Sequence, residues 1–115
     1  MSKATLGAGN VAITLDGEDV VLRPTLKAAQ TISRQTGGII GAIEAVSRFD
    51  FDVLASVIAL GLDRPVKDVV DDVWRTGVSE LAPRAIKFLG ILANGGRPVD
   101  KEQGGEEEGD PRTKA

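Results

Sequence analysis

The sequence predicts an α+β fold: an N-terminal antiparallel β-hairpin packed on a bundle of four to five α-helices, with a disordered C-terminal tail. Three observations predict it. Apolar residues alternate on either side of an Asp-Gly pair between Val11 and Leu22, the apolar period becomes helical from Thr25 onward, and residues 96–115 carry almost no apolar side chains. A chain of 115 residues with 42% hydrophobic residues can build one core but not two. Residues 10–95 therefore read as one domain between a flexible N-terminus, residues 1–9, and an acidic tail, residues 96–115.

The hairpin is expected over residues 10–24. Val11, Ile13 and Leu15 alternate with Ala12 and Thr14, Asp16-Gly17 supplies the positive φ of a tight turn, and Val20, Val21 and Leu22 return before Pro24 removes a donor and stops the strand. Thr25 then caps a helix over about residues 25–36 with Leu26, Ala29 and Ile32 facing inward, closed by Gly37-Gly38. A second helix, about residues 39–48, carries Ile39, Ile40, Ile43 and Val46, with Gly41 weakening it. Asp50 caps a third, residues 51–62, whose Phe51, Leu54, Val57, Ile58 and Leu62 follow helical steps and imply burial on several sides.

Asp63-Arg64-Pro65 reads as the opening of a fourth helix, residues 65–76, with Val66, Val69, Val70, Val73 and Trp74 on its buried stripe and Gly77 closing it. Ser79 is expected to cap a fifth, residues 80–94, with Pro83 tolerated in the first turn and Ala82, Ala85, Ile86, Leu89 and Ala93 inward.

Composition excludes much chemistry. The chain has no His and no Cys, so imidazole bases, thiolate nucleophiles, disulfides and the usual structural zinc ligands are unavailable. Its formal net charge of −3 leaves no basic stripe for phosphates, and the longest nearly apolar stretch, Val53 to Leu62, is too short for a bilayer. The N-terminus has no apolar signal core, so a cytoplasmic protein is expected.

Several constellations reduce to ordinary structure. Asp68, Asp71 and Asp72 share one side of the fourth helix, the one place for a carboxylate site, yet a solvated face with an Asp71–Arg75 pair explains them. Asp16, Glu18 and Asp19 lack the length and terminal Glu of a calcium loop. Gly38-Ile39-Ile40-Gly41 has the spacing of a KH clamp without basic flanks, and a helix-turn-helix over residues 32–46 would offer no base-reading side chain to the groove. Ser79 and Lys87 stand too far apart on one helix to form a dyad with each other. No catalytic, cofactor-binding or metal-binding residue is expected, and no nucleic-acid, membrane or small-molecule partner.

One feature exceeds the needs of a core stripe. Phe88, Ile91 and Leu92 stand beside Leu89 and Ala93 on the fifth helix, so the apolar arc either lies under a neighbouring element or docks another chain. Phe88, Ile91 and Leu92 are accordingly the candidate partner-binding residues.

The hairpin Val11-Ala12-Ile13-Thr14-Leu15-Asp16-Gly17, the return strand running into a helix (Val20-Val21-Leu22-Arg23-Pro24-Thr25-Leu26-Lys27-Ala28-Ala29) and the run Phe51-Asp52-Val53-Leu54-Ala55-Ser56-Val57-Ile58-Ala59-Leu60-Gly61-Leu62 resemble the tail-assembly chaperones of gene transfer agents and related siphophage-like prophages. The likeness covers roughly residues 10 to 95 and rests on hydrophobic pattern and turn residues; Pro24 and the long acidic tail depart from it. It implies a non-enzymatic protein that coats the tape-measure protein during tail assembly in a bacterial host, binding it or other tail proteins, with self-association as a further option. Some members of this family are instead regarded as tail tube components. A small DNA-binding regulator is the third alternative.

Overall fold

The structure is a computed structural model and describes residues 8–99. The expectations for residues 1–7 and 100–115 lie outside the described residues.

Strands β1 (Val11–Leu15) and β2 (Glu18–Leu22) pair antiparallel with Leu15 opposite Glu18 and Val11 opposite Leu22. Only Asp16 and Gly17 remain for the turn, and both have positive φ, 51° and 81°. That is the mirror-image turn whose twist matches a hairpin, and Asp-Gly is among the pairs that adopt it most readily. The register puts Val11, Ile13, Leu15 and Leu22 on the buried face.

Five helices follow. In α1 (Leu26–Thr36) the Thr25 hydroxyl accepts from the Ala28 amide at 3.1 Å, and Gly37 ends the helix in the left-handed region. Then come α2 (Ile39–Ser47) and α3 (Phe51–Leu62), the latter capped by the Asp50 carboxylate accepting from the Val53 amide at 3.1 Å. A short 3-10 turn, Val66–Asp68, precedes α4 (Val70–Thr76), and α5 (Val78–Ala93) completes the bundle. Among the described residues no helix is long and apolar enough to cross a membrane.

The α+β architecture stands as expected, with three corrections. Asp63 does not open the fourth helix; it closes α3 in the left-handed conformation, φ 58°. The span expected as one helix over residues 65–76 divides at Val69 into the 3-10 turn and α4. Finally, α5 begins at Val78, directly after Gly77 at φ 103°, so Ser79 lies inside the helix and caps nothing. Pro83 thus sits in the second turn, without an N–H to offer the Ser79 carbonyl.

The core lies around α5, which packs against β1 and all four other helices. One close approach in it is at Gly61 of α3. The Arg23 amide donates to the Gly61 carbonyl at 2.9 Å, and a Cβ on Gly61 would meet Leu22 Cβ at 3.0 Å and Phe88 Cζ at 3.2 Å. A hydrogen atom at this position lets β2, α3 and α5 converge.

The end of α5 also corrects the tail boundary. The Gly96 amide donates to the Ile91 carbonyl at 2.9 Å, and the Asn94 side-chain amide reaches the carbonyls of Arg97 and Pro98 at 3.2 and 3.1 Å. Residues 94–99 therefore fold back along α5, where Val99 lies beside Gly90, instead of leaving the domain at residue 96. Gly9, expected to be loose, is buried against Gly96 and Ile91.

Candidate partner-binding surface

Phe88, Ile91 and Leu92 do not form this surface. They are 0%, 4% and 6% exposed, because α5 is the central helix and the sides of its second half that carry them are covered by neighbouring elements, while Lys87 and Ala93 face out. Phe88 points its ring tip at Gly61, Ile91 lies against Gly9, and Leu92 lines a small cavity with Leu26, Ala29 and Gly96. Of the two explanations for the wide apolar arc, the covering element is the one observed.

Other apolar side chains are open instead. Trp74 is 75% exposed and Leu26 74%, with Ile40, Phe49 and Val66 also exposed. The sequence expectation put Trp74, Leu26, Val66 and Ala93 inward, and all four positions are corrected. At α4 the buried pair is Val73 and Val69, the residue that precedes the helix, while Trp74 lies one residue further round a seven-residue helix. On α1 the inward pair is Ala28 and Ile32, so Leu26 in the first turn faces out.

Around Trp74 the chain is tied down by polar contacts. Arg75 donates from Nε to Asp16 at 3.0 Å and from Nη2 to Asp72 at 2.9 Å, and the Asp16 amide donates to the Thr76 hydroxyl at 2.6 Å. These bonds pin the hairpin turn to α4. The hydrogen bond that Arg75 donates to Asp16, with the charge of that carboxylate, raises the Arg75 pKa above its ordinary value, and Asp72 adds to the effect. The expected Asp71–Arg75 pair is thus replaced by one to Asp72, three residues before Arg75. Asp68 and Asp71 are exposed and make no ion pair among the described residues. No group of three carboxylates there is placed to hold a metal ion, again among the described residues. Of the hairpin acids, Asp19 accepts from the Thr14 hydroxyl at 3.0 Å and Asp16 serves the α4 contact.

The Gly38–Gly41 stretch forms the corner between α1 and α2. Gly38 precedes α2 at φ 119°, and Gly41 presses so close to the Thr36 carbonyl that a Cβ would collide with it. Spacing that resembles a nucleic-acid clamp here serves a tight interhelical turn. Ser79 and Lys87 are both exposed on α5.

Among the described residues, a groove of about 560 Å³ lies between the hairpin and the start of α5, lined by residues that include Ala12, Thr14, Val21, Glu80, Leu81 and Arg84. It is open and shallowly apolar. The position of Trp74 could have been suspected from the sequence: Val69 and Val73 already complete one i, i+4 core pair, and Asp71, three residues before Trp74, puts a charge on the same side of the helix.

The arrangement offers contact area, with an aromatic anchor and an adjoining set of carboxylates. Set against known proteins, the chain matches no family model, no curated protein and no solved structure.

Proposed function

We propose that this chain is a tail-assembly chaperone of a phage-like particle, a non-enzymatic protein that binds the tape-measure protein in the cytoplasm of a bacterial host until tail tube subunits polymerise around it. The observation that carries the reading is the exposure of the single Trp of the chain, 75% open on a helix fixed to the hairpin by Arg75 and Thr76. A large aromatic left in solvent on a tethered helix is what a binding surface uses as an anchor. The resemblance over residues 10 to 95 supplies the identity of the partner.

The tube-subunit alternative needs enough strands to close a ring, and the described residues contain one two-stranded sheet. The regulator alternative needs enough positive charge to neutralise phosphates, and the chain as a whole carries a formal net charge of −3.

Co-expression with the tape-measure protein of the same particle tests the proposal. The expected result is a soluble complex of the two proteins and absence of this chain from purified mature particles. A tape-measure protein that aggregates equally with and without it, or recovery of the chain as a stoichiometric part of mature tails, overturns the reading.

A further inference from the structure

The α4 corner combines an apolar ridge with a charge of one sign. Val70 and Trp74 are one turn apart on the same side of α4, half-buried and exposed respectively, and Asp71 lies three residues before Trp74 on the adjoining surface. The hairpin turn, bonded to α4 through Asp16, adds Glu18 and Asp19; Glu80 follows in the first turn of α5. Against these acids stand Lys67, Arg75 and Arg84. Arg75 is already engaged by Asp16 and Asp72, leaving the corner with a clear excess of negative charge. The rest of the described chain, α1, α2, α3, the later part of α5 and the connecting segments, shows the opposite balance: Glu44, Asp50, Asp52 and Asp63 against Arg23, Lys27, Arg34, Arg48, Arg64, Lys87 and Arg97.

We infer that the α4 corner docks a basic amphipathic helix of a partner chain, with Trp74 packing on its apolar stripe and Asp68 and Asp71 facing its Lys or Arg residues. The inference rests on the functional reading above and names the chemistry of the segment bound. A ridge of side chains one helical turn apart fits the grooves of another helix. The indole face adds attraction for a neighbouring cation, and the acidic rim raises the encounter rate with a basic segment. A symmetric dimer through the same face would bring two acidic corners together, so charge favours a basic helix over a second copy docked through the same face.

The single Trp makes the test direct. Two synthetic helical peptides of equal length and equal Leu content, one with Lys and one with Glu on the polar face, are titrated into the full chain while Trp emission is followed. The Lys peptide is expected to blue-shift the emission, to bind about tenfold or more tightly than the Glu peptide, and to weaken as salt rises. Trp74→Ala, read by anisotropy of labelled peptide, should reduce affinity about tenfold, and Asp68→Lys with Asp71→Lys should reverse the peptide preference. Circular dichroism of each variant confirms folding.

Equal binding of both peptides, no emission change with either, or a blue shift that depends on protein concentration alone overturns the inference, the last by showing a second copy as the occupant. The two readings fail separately. Tape-measure binding that survives Trp74→Ala and the charge reversals removes this surface but keeps the chaperone, whereas Lys-peptide binding without any tape-measure complex does the reverse.

Discussion

Two apolar surfaces on neighbouring helices meet opposite fates. The second half of α5 carries Phe88, Leu89, Ile91 and Leu92 and buries all four, while α4 with the residue before it carries Val69, Val73 and Trp74 and leaves the largest of them in solvent. The difference lies in how many elements surround each helix. Sixteen-residue α5 runs through the centre, with the hairpin, α1, α2, α3 and α4 around it; seven-residue α4 packs chiefly on α5, the 3-10 turn and β1. An apolar arc is core wherever neighbours exist on all sides, and becomes available surface where they exist on one.

Substitutions can break or sharpen this contrast. The largest effect is expected at Phe88: Phe88→Ala should cost about 3–5 kcal/mol in chemical denaturation, because it opens a cavity at the meeting point of β2, α3 and α5. A near-neutral result would mean that the two surfaces do not differ. Next comes Gly61→Ala, which forces a methyl group between Leu22 and Phe88 and should lower stability by about 1–3 kcal/mol, seen as a lower denaturation midpoint at unchanged slope. Asp50→Ala removes the cap of α3, the wall against which Phe88 leans, and should cost about 1 kcal/mol in the same assay. Smallest is Trp74→Ala, expected within about 0.5 kcal/mol of the parent in thermal unfolding while partner binding falls. A large loss of stability at Trp74 would reclassify it as structural and dissolve the contrast.

Local signals in the sequence were sufficient wherever the physics is local. Asp16-Gly17 specifies its own turn, Thr25 and Asp50 each satisfy an amide three residues on, and the spans of α1, α2 and α3 agree with expectation to within a residue at each end. Gly77 was legible as a stop but not as the immediate start of α5, because a glycine at φ 103° can end one helix and begin the next with no linker. Asp63 is a comparable ambiguity: an Asp before Pro has the look of an N-terminal cap, yet its backbone takes the left-handed turn that ends α3.

Which apolar residues stay exposed is the least legible part: the stripe pattern points to Phe88, Ile91 and Leu92, and the structure leaves Trp74 and Leu26 open instead. Periodicity shows that Phe88, Ile91 and Leu92 widen the arc of α5, but the number of elements closing over that arc depends on contacts distant in sequence. Gly9 against Ile91, and Gly61 against Phe88, are such contacts. Trp74 was placed inside because a large aromatic next to a valine pair fits a stripe template, whereas the short α4 has no neighbour on that side to receive it.

The bond from the Asp16 amide to the Thr76 hydroxyl spans 60 residues of chain and joins a hairpin tip to the end of a helix. Most amides in a hairpin are sequestered by the partner strand and exchange with solvent when that ladder opens; this one is sequestered by an element outside the ladder. Its deuterium uptake therefore times the lifting of the hairpin tip from α4, separately from melting of the hairpin itself. Replacing Thr76 with Val keeps the shape and removes the acceptor, so faster exchange at Asp16 alone would isolate the bond as a latch between the two halves of the fold.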